Sequence, residues 1–204
     1  MSETNLTKEI KVALYKYTKC HLAGIYGAFE VVMGANTIGY GNEKVDFLTM
    51  DSDSKFRCYE IKVSKEDLHS GAQLSFYGDF NYLVVPDESL VPGVRDAAIK
   101  LVLSTYRYKT GILVYHGCNV ISRHSGEKEL RYSFTLDYVP KRQKIRIEQR
   151  IANMYNMVRS GSRYATKWVK EEEKGFLQEN ELHSMPEISD DDFLAIFGHT
   201  KDYV

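Results

Sequence analysis

The first apolar residues recur at helical spacing. Over residues 7–22, Ile10, Leu14, Tyr17 and Leu22 fall near one stripe, Thr7 offers a cap, and Gly24 and Gly27 end the segment. Strand signals follow. Residues 29–33 are rich in β-formers, residues 34–41, with glycine at 34, 39 and 41, read as a turn or distorted strand, and residues 44–50 read as a strand. The polar run Asp51, Ser52, Asp53, Ser54, Lys55 has the length of a hairpin loop, and residues 56–63 form the next strand. Ser64, with Asp67 three residues on, starts a helix that reaches about residue 77. A buried-type strand over 81–85 stops at Pro86. A helix over 91–105, a strand over 111–115 and a strand over 131–138 come next. After Pro140 a long basic helix runs to about residue 173, with Ser160-Gly161-Ser162 offering a break. A meander followed by crossover helices predicts an α/β fold, a central mixed sheet flanked by helices.

The domain plan follows the same pattern. Residues 1–140 carry the globular core, 141–174 a basic helical extension, and 175–204 an acidic, flexible tail with one apolar patch at Phe193, Leu194, Ile196 and Phe197. With 204 residues and 43% hydrophobic positions, the chain can bury roughly 70% of its unfolded surface without a disulfide or a structural metal. Cys20, Cys58 and Cys118 stand alone, with no CxxC or CxxH spacing, so a zinc site and a secreted disulfide framework are not expected and each thiol reads as a small buried hydrophobe. The first residues form no apolar signal segment and no run has the length of a membrane span, so a reducing, cytoplasmic setting is expected.

A net charge of -1 conceals an asymmetry. Between 141 and 170, Lys141, Arg142, Lys144, Arg146, Arg150, Arg159, Arg163, Lys167 and Lys170 face only Glu148, whereas residues 171–204 are strongly acidic. A basic segment before an acidic tail often accompanies nucleic-acid binding. Tyr155, Tyr164 and Trp168 lie among the basic residues, where they suit stacking on unpaired bases as well as packing into a core. A solvated helix followed by a disordered end is the plainer reading of the same charges.

The chemistry-bearing stretch is 45–63. Side chains alternate along a strand, so Glu60 and Lys62 point one way while Tyr59, Ile61 and Val63 point the other. A carboxylate and an ammonium on so apolar a strand are costly to bury without partners. If Asp46 sits on the adjoining strand, its carboxylate approaches that of Glu60, and two adjacent carboxylates repel unless a cation neutralises them. Oxygen donors of this kind suit Mg²⁺ or Mn²⁺, which lowers the pKa of a bound water and polarises a phosphoryl oxygen. Lys62 would orient that water or stabilise transition-state charge, and the Ile61 carbonyl is a further candidate ligand. An ExK triplet alone is weak, because a solvated cross-strand ion pair has the same residues. Asp46, the apolar strand and the Ser64–Asp67 helix start are what turn it into a site.

Asp46, a thirteen-residue spacer and Glu60-Ile61-Lys62 together resemble the PD-(D/E)XK nuclease superfamily. Glu30 on the preceding strand, the run from Glu60 to Asp67 into a helix, and the stretch 77–86 bring the likeness nearest to its MmcB-like DNA-repair branch, over about residues 28–90. Val45 stands where the motif's name has proline, and nothing past residue 116 extends the likeness. The resemblance implies a restriction-endonuclease-like core and metal-dependent hydrolysis of DNA phosphodiesters, in repair, recombination or phage DNA metabolism in a bacterial or phage-infected cell. It also implies Asp46 and Glu60 as metal ligands and Lys62 as the catalytic lysine. Glu30 or Glu9 would complete the acidic set, and Gln73 or Tyr77 would support it from the helix after the ExK strand. Residues 141–170 would hold DNA, Lys141, Arg142, Lys144, Arg146, Arg150, Arg163 and Lys167 foremost. Branched DNA would favour a symmetric homodimer. Two rivals keep the same residues: a non-catalytic DNA-binding module of this fold, and an adaptor whose acidic tail docks a protein partner.

Overall fold

The computed structural model describes residues 4–21, 25–33, 43–69, 76–104, 109–121 and 128–180, with backbone alone for 20–21, 118–121, 128–131 and 172–180. The residues 34–41 expected as a turn, Gln73 and the tail beyond residue 180 lie outside the described residues. Two compact units divide the chain, Met1–Ser162 and Arg163–Val204.

The first unit is a six-stranded sheet whose spatial order follows the chain. Strands β1 (Tyr26–Met33), β2 (Glu43–Met50) and β3 (Phe56–Ile61) form the expected antiparallel meander. β4 (Phe80–Pro86) and β5 (Gly111–Ile121) add in parallel, and β6 (Lys128–Tyr138) closes the edge antiparallel to β5. The sheet is mixed, as the pattern implied. β5 extends well beyond residue 115 because β6 pairs with it as far as Ile121↔Lys128.

Helix α1 (Asn5–His21) covers one face, burying Ile10, Ala13 and Leu14 against Phe47, Tyr59, Ile61, Val84, Leu113 and Tyr115. Its cap is Thr4 rather than Thr7: the Thr4 hydroxyl accepts the Thr7 amide at 3.1 Å, the bond an N-cap makes three residues on. On the opposite face, α3 (Val94–Ser104) packs Val94, Ala98 and Val102 on Leu83, Val85, Ile112 and Val114. Covered on both sides, the parallel strands read as nearly unbroken apolar runs. Helix α2 is described over Lys65–His69; residues 70–75, where the sequence continued it, lie outside the described residues, and Phe76 and Tyr77 lie outside any helix.

Helix α4 spans Ile147–Asn180 and passes through Ser160-Gly161-Ser162 without interruption. It begins later than the sequence suggested, because residues 139–146 run as an extended strap, tied by the Lys141 amide to the Lys109 carbonyl at 2.9 Å and by the Gln143 amide to the Asp79 carbonyl at 2.7 Å. Its turns up to Ser162 belong to the first unit, where Met157 joins Ala28, Leu48, Phe56 and Cys58. The second unit carries the rest of α4, with an ion pair between Lys167 and Glu171 at 3.6 Å. Among the described residues, no helix is long and apolar enough to cross a membrane.

Candidate active site

Strand pairing lines up three acids. Carrying the β2–β3 register one step beyond Phe47↔Tyr59 sets Asp46 across from Glu60. On the other side, the β1–β2 ladder passes from Phe29↔Phe47 to Val31↔Val45, and the position it skips sets Glu30 across from Asp46. Glu30 has a φ of 53°, a left-handed conformation that costs a residue with a Cβ about 1–2 kcal/mol. Ion pairs from Lys11 on α1 and Lys44 on β2 hold its carboxylate. Burial alone would push the Glu30 carboxyl up, but the two ammonium groups outweigh it and the net shift is downward.

Asp46 and Glu60 are held differently. The Ile61 amide donates to Asp46 Oδ2 at 2.8 Å, so the carboxylate closes the β2–β3 ladder where the backbone pairs end. Burial raises the Asp46 pKa, with the Ile61 amide, Lys62 and Lys11 pulling the other way. Glu60 is 4% exposed, and its Oε1 is buried without a hydrogen-bond partner among the described residues. Burial first, then the neighbouring Asp46, push the Glu60 carboxyl up to about 9, and Glu43 adds to the rise. The alternation expected of β3 is present: Tyr59 and Ile61 join the α1-side core, while Glu60 is buried within reach of Asp46 and Lys62.

Lys62 is 7% exposed. Its backbone continues the parallel pairing through the Val84 carbonyl at 2.9 Å, and its Nζ reaches Asp67 Oδ1 at 3.2 Å. Asp67 does more than shape the helix start. Its amide binds the Ser64 hydroxyl at 3.1 Å, and its carboxylate takes both the Lys62 ammonium and, at 3.4 Å, the Val63 amide.

Sequence reasoning passed over Lys11 and Glu43, and it read Asp67 only as part of a helix start. A lysine beside the Ile10–Leu14 stripe was the only trace of Lys11. Glu43 accepts the Tyr77 hydroxyl. The alternative acid Glu9 instead accepts the Tyr115 hydroxyl at 2.5 Å.

The basic residues divide. Asp79 is fully buried, accepting the Phe56 amide at 2.9 Å and Arg150 Nη2 at 2.6 Å, with Arg142 Nε at 3.8 Å. Arg150 Nη1 also donates to the Ser54 carbonyl at 2.6 Å, so this arginine staples α4 to the β2–β3 turn. Lys141, Arg142, Lys144 and Arg146 have exposed side chains on the strap before α4. Arg146 lines a hollow of ≈ 380 Å³ with Phe76, Tyr77, Ile145, Glu148 and Gln149. Arg163 and Lys167 lie in the second unit.

Among the described residues, no group of three or more His, Cys, Asp or Glu side chains is arranged to enclose a metal ion. The donors on offer are the two carboxyls of Asp46 and Glu60. That set suits Mg²⁺ or Mn²⁺, which commonly bind through one or two carboxylates and take water and phosphate oxygens elsewhere. Burial raises the pKa of both carboxyls, and one Glu60 oxygen has no hydrogen-bond partner among the described residues; a cation would relieve both, so the residues fit such an ion.

No family model matches the chain, and no curated protein does. Among solved structures it is similar to the SPO1766 protein of unknown function from Silicibacter pomeroyi, at 15% identity and a TM-score of 0.45 over 85% of this chain and 92% of that one.

Proposed function

We propose that the chain is a divalent-metal-dependent nuclease that hydrolyses DNA phosphodiester bonds, a PD-(D/E)XK-like enzyme of DNA repair, recombination or phage DNA metabolism. The observation that carries this reading is the pairing of a half-buried carboxyl, Asp46, with the buried carboxyl of Glu60, beside the buried Lys62, with one Glu60 oxygen without a partner among the described residues. A purely structural carboxyl pair would gain by acquiring that missing hydrogen bond.

Asp46 and Glu60 would hold the ion, which supplies Lewis acidity and a water of lowered pKa when bound. The Ile61 amide fixes the Asp46 carboxylate, so that donor is positioned beforehand. To serve as a ligand Glu60 would release its proton to solvent. An ammonium has three N–H donors, so Lys62 can keep Asp67 and still hydrogen-bond a phosphoryl oxygen as negative charge builds there. Lys11 and Lys44 neutralise Glu30 at the rim of the acidic row. The exposed bases of the strap, Lys141, Arg142, Lys144 and Arg146, would contact phosphates and give affinity without sequence preference.

Incubation of plasmid DNA with the full chain and Mn²⁺ or EDTA tests the reading, with Asp46→Asn alongside. Nicking or linearisation that needs both the metal and Asp46 is expected. Equal inertness of the two proteins under every metal condition would remove the enzyme from the account.

A further inference from the structure

Within the first unit, α4 packs with its polar side inward. Asn153, Asn156 and Ser160 are buried beside a single apolar side chain, Met157, and Gln149 and Arg150 are half-buried, with the Asn153 amide donating to the Tyr77 carbonyl at 2.9 Å. The apolar side faces out: Ile147, Ile151, Met154, Tyr155 and Val158 are exposed, from 46% at Met154 to 72% at Val158. An amphipathic helix ordinarily buries its apolar stripe and shows water its polar one. Here the order is largely reversed, and among the described residues of the single chain nothing covers the stripe.

The stripe has the geometry of a helix–helix seam. Ile147, Ile151, Met154 and Val158 are spaced four, three and four residues apart, the knob positions of a coiled coil, and the sequence keeps that spacing through Gly161, Ala165 and Trp168. Beside it lies a groove of ≈ 260 Å³ between Met154 and Val158 on one side and Tyr26, Gly27, Ala28 and Met50 on the other, a slot for side chains of a facing helix.

We propose that the full chain forms a twofold-symmetric dimer in which this stripe packs antiparallel against the same stripe of a second copy. Two observations select a second copy as the occupant. The five stripe residues and Tyr26 expose on the order of 800 Å² per copy, so two copies together supply the roughly 1,600 Å² of a standard interface. The charges at its border are also self-complementary. Glu148 and Arg159 are exposed and three turns apart on the same side of the helix, so an antiparallel twofold places each against the other's counterpart. Ile147, Ile151, Met154 and Val158 carry no hydrogen-bond donor and no charge, with the Tyr155 hydroxyl the one polar group of the stripe, which separates this surface from the basic strap. The dimer stands independently of the nuclease reading.

Light scattering on the size-exclusion column, with the full chain loaded at roughly 100 μM so that even micromolar association is populated, measures the mass directly. The wild type is expected at twice the 23.5 kDa chain mass, and Ile151→Glu/Val158→Glu at the monomer mass with an unchanged far-UV circular dichroism spectrum, since both side chains are exposed in the single chain. Glu148→Arg is expected to weaken the dimer about tenfold, and adding Arg159→Glu to restore it. A monomeric wild type, or a dimer indifferent to all of these substitutions, overturns the proposal.

Discussion

Asp46 Oδ2 accepts the amide hydrogen of Ile61 at 2.8 Å. Through that one bond a side chain of β2 finishes the hydrogen bonding of β3, and it brings a carboxyl to the strand position that carries Glu60. The pairing of these two carboxyls and the end of a strand ladder are thus the same structural event.

Glu60 makes stability depend on pH with a definite sign. Its folded pKa, about 9, lies above the ordinary 4.5, so between those values only the folded chain holds the proton. Without metal, the Glu60 contribution is therefore fully present below about pH 4.5 and is lost as pH rises towards 9. Glu60→Gln should raise the melting temperature near pH 8, on the order of a few kcal/mol in stability, and do little near pH 5. Melts of both proteins in EDTA across that range check it; a constant difference would count against a protonated Glu60.

Mn²⁺ should replace that proton. Titration calorimetry or a thermal shift should detect Mn²⁺ on the wild type, more strongly as pH rises, and not on Glu60→Gln. Lys62→Met should keep the metal response while slowing cleavage by roughly 10²–10³-fold, because it removes charge stabilisation rather than a ligand. Loss of metal binding in Lys62→Met would instead assign the lysine a structural part.

Arg150 and Arg142 both approach Asp79, but only Arg150 satisfies it closely. Arg150→Ala leaves a fully buried carboxylate short of its cation and should cost about 3–5 kcal/mol. Arg142→Ala, at 3.8 Å and with an exposed side chain, should cost under about 1 kcal/mol. Chemical denaturation of the two variants separates these outcomes.

Lys144 and Arg146 stand exposed on the strap. Replacing both with alanine should weaken DNA binding uniformly across sequences and lower the slope of log affinity against log salt by about 2. An unchanged slope would place the DNA elsewhere.

Much of the architecture was legible because its signals are local. Period-two patterning placed Glu60 opposite Tyr59 and Ile61, and the apolar run at 81–85 marked a strand buried on both faces. The rest depends on register and docking, which no window of sequence contains. Lys11 enters the site because α1 lies across β1, Glu43 because Tyr77 reaches it, and Asp67 because the turn after Lys62 folds back. Along 147–160 the helix was readable, but the face that turns inward was not: Arg150 commits to Asp79, Asn153 bonds the Tyr77 carbonyl, and the apolar residues face out. Charge alone grouped Arg150 with the strap lysines, though it binds a buried acid. Cys58 is buried as expected, its thiol pushed well up by burial.

The most direct measurement is cleavage of a labelled panel of single-stranded, duplex, flapped and four-way DNA in Mg²⁺, Mn²⁺ or EDTA, by wild type and Glu60→Ala. The account predicts cutting by the wild type that EDTA and the substitution both abolish, with the preferred DNA structure naming the pathway. Wild type and Glu60→Ala equally inert on every substrate, while both still bind DNA, would contradict it and leave a binding module of the same fold.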